Sequence, residues 1–158
     1  MSHVDIDRVM QRLNPAIAWL LRSPMHPLLD WGLMLITVTG RRSGRVYTIP
    51  VGYQRDGDAL VVLVSKPSRK QWWRNFREPA PVEVELRGER RQGTARIVEA
   101  GSQPFRNVVA ATLRRLPMLG GQLGIAYERD RGLSDQQLEV LSREAALVEI
   151  TLATPPAP

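Results

Sequence analysis

Alternating apolar and polar positions predict most of the strands in this chain. Leu33 to Thr39, LMLITVT, is a run of strand formers, and beyond the loop Gly40 to Gly44 a second strand is predicted from Arg45 to Tyr53. Tyr47, Ile49, Val51 and Tyr53 share one face of that strand. Arg55-Asp56-Gly57-Asp58 predicts a hairpin turn, because Asp-Gly accepts the positive φ of a tight connection. The strand from Ala59 to Val64 is apolar on both faces and belongs in the middle of a sheet. Pro81 to Leu86 alternates cleanly, with Val82, Val84 and Leu86 opposite Glu83 and Glu85. A turn at Gly88 leads into a strand from Arg90 to Val98, where Gly93 marks an expected bulge. A last strand is expected from Leu147 to Leu152. Short strands joined by tight turns suggest a small antiparallel barrel.

Helical spacing appears in four places. Ile6, Val9, Met10 and Leu13 form one stripe, and Asn14 with Pro15 opens a second short helix reaching Arg22. This pair is expected to cover the core, a ligand pocket or a membrane surface. The breaker Ser23 to Pro27 follows. Ser68 and Gln71 have capping-box spacing and predict a short helix through KQWWRNFR. Ser102 caps a helix with Phe105, Val108, Val109, Thr112 and Leu113 inward and Arg106, Arg114 and Arg115 outward, stopping near Pro117. Ser134 and Gln137 open another, running to about Ala145. Between them, Met118 to Gly132 carries four glycines around Tyr127 and reads as a flap over a pocket, an ordinary loop or a weak helix. The expected organisation is one domain over 1–152: a helical segment (1–32), a barrel core (33–98), helices (102–145) and a last strand (147–152), then a disordered tail over 153–158.

Composition narrows the classes. Of 158 residues, 43% are apolar and 24% charged, the balance of a folded chain rather than a disordered one. Cysteine is absent, which removes disulfides, thiolate catalysis and zinc ribbons. MSHVDIDR is no basic leader and AIAWLL is too short for a signal peptide or a span, so a cytoplasmic location is expected. The net charge is +6, and all but Lys66 and Lys70 of the 22 basic residues are arginines. Such a surplus steers anions: nucleic acid, acidic lipid or a phosphorylated small molecule.

The candidate chemistry is therefore anion binding. Gly40 and Gly44 bracket Arg41, Arg42 and Ser43, a loop that reads either as an anion cradle or as a basic turn in solvent. Lys66, Arg69 and Lys70 flank the start of the KQWWRNFR helix, a second anion site whose Trp72, Trp73 and Phe76 also suit packing. If the strand carrying Lys66 lies beside the strand leaving the first loop, the two sites converge. His3 and His26 are the only histidines, so neither a Ser-His-Asp triad nor a histidine metal site is expected, and no metal is assigned. An enzyme with so few acid–base groups relies on a cofactor.

Within Leu33 to Val98, the order LITVTGRRSGRVYTIPVGYQRDGDALVVLVS, then WWRN, then PVEVEL resembles the deazaflavin (coenzyme F-420)-dependent nitroreductase and quinone reductase family of actinobacteria. The resemblance implies an α+β, mainly β fold: a six-stranded antiparallel split β-barrel flanked by short helices. It implies an oxidoreductase passing hydride from reduced coenzyme F-420 to a small-molecule acceptor such as a quinone, enone or nitro compound. Arg41, Arg42 and Ser43 would hold the cofactor's phosphate and acidic tail. Tyr47, Thr48, Ile49, Pro50, Val51 and Gly52, with Leu63, Val64, Ser65 and Lys66, would line its ring and ribityl portion. Gln71, Trp72, Trp73, Arg74 and Asn75 would close the other side. The N-terminal helix and Tyr127 would border the substrate. Two positions depart from the family: Tyr47 replaces a common basic residue, and Gly52 stands where an aromatic ring can pack. The alternative is a non-catalytic split-barrel module binding FMN or another anion. Nucleic acid is not expected, because Glu83 and Glu85 interrupt any basic stripe. Peripheral membrane contact through the N-terminal helices, and a monomer or homodimer, complete the expectations.

Overall fold

A computed structural model describes residues 32–154. The expected N-terminal helices, the breaker at Ser23 to Pro27, both histidines and the last four residues of the tail lie outside that range. Seven strands form one antiparallel sheet: β1 (Leu33–Thr39), β2 (Val46–Gly52), β3 (Gln54–Asp56), β4 (Ala59–Ser65), β5 (Ala80–Leu86), β6 (Glu89–Val98) and β7 (Ala145–Leu152), in the order β2-β1-β5-β6-β7-β4-β3. Helices α1 (Gln103–Arg115), α2 (Leu119–Gln122) and α3 (Asp135–Glu144) lie between β6 and β7 in sequence.

The sheet curls into a split β-barrel, and its connectivity says why. β3 follows β2 after the single residue Tyr53, yet it pairs with β4 at the far edge of the sheet, so the chain itself draws the two edges together. The seventh strand, one more than expected, arises at this crossing. The extended run breaks at Tyr53, so that its first part pairs with β1 and its last part with β4. β2 is paired on one side only, which is where a strand tolerates Pro50.

Two apolar cores follow from the alternation. Met34, Ile36, Val84, Val62, Val148 and Ile150 point into the barrel, and Trp72 and Phe76, edge to face at 6.3 Å, fill it from one end. On the outside, Val61 and Leu147 pack under Phe105, Val109, Leu113 and Leu141 of the helices. β4 and β7 are thus buried on both faces, the former as its sequence required.

Three local expectations change. Gly93 makes no bulge: pairing runs through it unbroken, from Glu83↔Gln92 to Pro81↔Thr94. A Cβ there would stand 2.7 Å from the Thr151 carbonyl oxygen, so close approach of β7 explains the glycine. The stretch from Pro67 through KQWWRNFR is not a capped helix but two 3-10 turns, Pro67–Arg69 and Trp72–Phe76, neither with a side-chain cap. The amides of Arg69 and Lys70 are spent on the carbonyls of Lys66 and Pro67, which removes the expected helix-terminal anion site. Finally, α3 passes directly into β7 at Ala145, two residues before the expected strand start, because Ala145 is buried and pairs with Ser65.

Candidate functional site

The split in the barrel forms the candidate site. β2 bonds to β1 alone, and β4 meets β3 only over residues 59–61. Residues 49–52 and 62–65 therefore present unpaired backbone edges, and both edges line one cleft of about 690 Å³. That volume suits a cofactor with a small partner.

The opposite wall comes from the helices. Val108, Thr112 and Arg115 of α1, then Leu116, then Leu119 and Gln122 of α2 line it. The Thr112 hydroxyl donates to the Val108 carbonyl at 2.8 Å, so little unmet polarity remains on that face. Trp72 closes part of the rim. Among the described residues, Lys70 and Arg115 are the only charged residues of the lining, and no carboxylate lines it. The Lys70 ammonium donates to Ser65 Oγ at 3.3 Å. Burial, and then the neighbouring Lys66 charge, hold the Lys70 pKa below the usual lysine range. Lys66 itself adopts a left-handed backbone, φ 50°, at the turn leaving β4. A non-glycine residue there stores modest strain beside the cleft.

Asn75 ties the basic loop to this region. Its Oδ1 accepts from the Arg41 amide at 2.9 Å, and its Nδ2 donates to the Tyr47 hydroxyl at 3.2 Å and to the Trp72 carbonyl at 2.9 Å. Burial pushes the Tyr47 phenol up, and the Asn75 contact lowers it part of the way back. The loop is also closed on itself: Gly40 donates to the Arg45 carbonyl at 2.8 Å, Gly44 to the Gly40 carbonyl at 2.9 Å, and Arg45 to Ser43 Oγ at 3.2 Å. A Cβ at Gly40 would stand 2.6 Å from Ser43 Oγ, so a larger residue there would displace that hydroxyl. Arg41 pairs with Glu78 at 3.6 Å. Arg42 and Ser43 remain exposed, and their amides have no hydrogen bond among the described residues. Two consecutive amides and a guanidinium, all without partners among the described residues, leave donors open at this turn. The buried Nε of Arg74, whose guanidinium lies 5.6 Å from the Trp73 ring, is a further donor without a partner.

Of the expected site residues, Ile49, Pro50, Val51, Gly52, Leu63, Val64, Ser65 and Trp72 line the cleft. Arg41, Arg42, Ser43, Tyr47, Lys66, Gln71, Trp73, Arg74 and Asn75 do not line it. The loop is nevertheless brought to the Trp72–Phe76 turn through Asn75. Thr48 is buried against Thr37, hydroxyl to hydroxyl at 2.7 Å. Tyr127 packs against the helical core beside Gly120 and is not part of the lining. Met118 to Gly132 is α2 followed by turns, and α2 supplies wall. Arg115, expected to face outward, lines the cleft. The signal for this wall was present: positions 108, 112, 115, 119 and 122 keep a helical spacing across Pro117.

The profile of a family described as F420H(2)-dependent quinone reductase matches residues 23–114, more than half of the chain. No curated protein matches. Among solved structures, one described as an F420-H2 dependent reductase is 16% identical, covers 75% of this chain and 93% of its own, and superposes with a TM-score of 0.52. Another, described as a domain-swapped dimer, is 16% identical over 91% of this chain and 97% of its own, TM-score 0.53. A protein of unknown function from Agrobacterium tumefaciens is 14% identical over 78% of this chain and 49% of its own, TM-score 0.53. These structures share the fold.

Proposed function

Since the chain belongs to the F420H(2)-dependent quinone reductase family, we propose that the cleft between β2 and β4 is where it holds coenzyme F-420 and an electron-poor acceptor. Membership makes it a deazaflavin-dependent oxidoreductase. The observation that carries the placement is the pair of unpaired strand edges flanking an apolar cleft. A planar, amide-rich ring needs in-plane donors and acceptors with greasy faces above and below, and free strand edges provide the former while aliphatic walls provide the latter.

The residues present fit the cofactor's charge as well. Its phosphate and acidic tail would be held by the free amides and guanidinium at Arg42 and Ser43, with Lys70 and the orphaned Nε of Arg74 as further donors. Arg41 reaches Glu78 at 3.6 Å in a solvent-exposed pair, and its backbone amide, bonded to Asn75, ties the loop in place. When bound in reduced form, the deazaflavin supplies a hydride. The chain's part is to orient ring and acceptor, and to exclude water with Leu116, Leu119 and Val108. Backbone N–H groups along the edges would stabilise negative charge developing on the acceptor oxygen. No described side chain need act as a nucleophile.

The test is titration of the protein with oxidised coenzyme F-420 and, separately, FMN, following tryptophan fluorescence, to which Trp72 at the cleft contributes. Quenching by the deazaflavin at concentrations on the order of micromolar is expected. Quenching by FMN alone would assign the cleft to a flavin-binding module instead.

A further inference from the structure

The cleft carries a charge pattern that hydride transfer does not require. We propose that Arg115 is the specificity-determining residue of the acceptor pocket, selecting acceptors that carry a carboxylate on an apolar body. This rests on the reading of the cleft as the cofactor and acceptor site.

Among the described residues, two cations and no carboxylate line an otherwise largely aliphatic space. The two are not equivalent. Lys70 is held by Ser65 at the end of β4, beside Lys66 and the turn that docks the basic loop, so it belongs with the donors assigned to the cofactor's tail. Arg115 stands on the helical wall, in the last turn of α1, next to Leu116 and one turn before Leu119. It makes no hydrogen bond or ion pair among the described residues.

Complementing the helix dipole would explain a cation at this position, but Arg114 fills that role equally and does not line the cleft. What needs explaining is that Arg115 does. Arg115 is an exposed residue of this wall: its planar fork matches both oxygens of a carboxylate, while the aliphatic residues beside it suit the apolar body that carries the acid. Gln122, also without a hydrogen bond among the described residues, adds a neutral donor on the same wall. The acceptor's reducible bond gains a hydride from the cofactor and a proton from solvent, and the cofactor is oxidised by the same two electrons. Arg115 takes no part in that transfer. It binds the acid group and thereby sets which molecule is presented.

The probes are menadione and 3-(1,4-naphthoquinon-2-yl)propanoate, closely related naphthoquinones without and with a carboxylate. Binding is read first on the cofactor-free protein by tryptophan quenching, then as kcat/KM with reduced coenzyme F-420. The acid is expected to bind the wild type on the order of tenfold more tightly than menadione. Arg115→Gln should erase that ratio, Arg115→Lys should keep part of it, and Arg114→Gln, an equal change in net charge, should keep it all. A wild type without preference, or an Arg114→Gln variant that loses the ratio as fully as Arg115→Gln does, overturns the proposal. So does an Arg115→Gln variant that keeps the ratio but binds coenzyme F-420 more weakly, which would make Arg115 a cofactor ligand. Failure of coenzyme F-420 to bind would sink the reading of the cleft's function, while the acid preference is decided by the cofactor-free measurement.

Discussion

Asn75 has three partners: the Arg41 amide, the Tyr47 hydroxyl and the Trp72 carbonyl. Through them a loop and a turn 34 residues apart in sequence become one surface. Both loop arginines are exposed, but Arg41 has Glu78 within 3.6 Å whereas Arg42 has no partner among the described residues. Arg42→Glu is therefore expected to weaken coenzyme F-420 at least tenfold, about 1.4 kcal/mol, by reversing the unengaged charge. Unchanged affinity in the fluorescence titration would remove the loop from the site. The sequence showed both arginines and their glycine brackets, but not which guanidinium is free. That depends on Glu78, a residue brought near by the fold and not by spacing. Gly93 teaches the same lesson from the other side: a glycine in a strand signals either a bulge or a close backbone, and only the partner strand decides.

Among the elements, those written as local patterns came through and those needing a distant partner changed. The Ser134–Gln137 capping box is present in both directions, at 3.1 and 3.0 Å, and opens α3, whose Leu141 is fully buried. Ser134→Ala should cost about 1 kcal/mol of stability, seen as a lower urea midpoint with an unchanged slope. No loss would mean that packing of Leu141 alone holds the helix. The same spacing at Ser68–Gln71 forms no box. Pro67 fixes the backbone two residues after β4 ends, and the burial of Trp72 and Phe76 in the barrel end sets the path as two 3-10 turns. Leu116, Leu119 and Gln122 were hidden because Pro117 interrupts the helix pattern, although their stripe continues into α2.

At the scale of the molecule, the barrel could be inferred but its closure could not. Strand order is set by pairings between residues far apart in the chain, such as Leu60↔Ile150, and no local periodicity encodes them. Ligand held between the two free edges binds the folded chain only. At one hundred times its dissociation constant, coenzyme F-420 should add about 2.7 kcal/mol and raise the thermal midpoint by roughly 5 to 10 °C. A midpoint indifferent to the cofactor would mean that the folded chain does not bind it.

The crossing at Tyr53 also has a mechanical side. At one end of the cleft β2 is tethered to β4 by a single residue and a three-residue strand. From the other end of β4 the chain runs to the turn whose Asn75 grips Tyr47 in β2. The sheet side of the cleft is in effect a caliper locked at both ends. Its gap gauges the thickness of whatever enters.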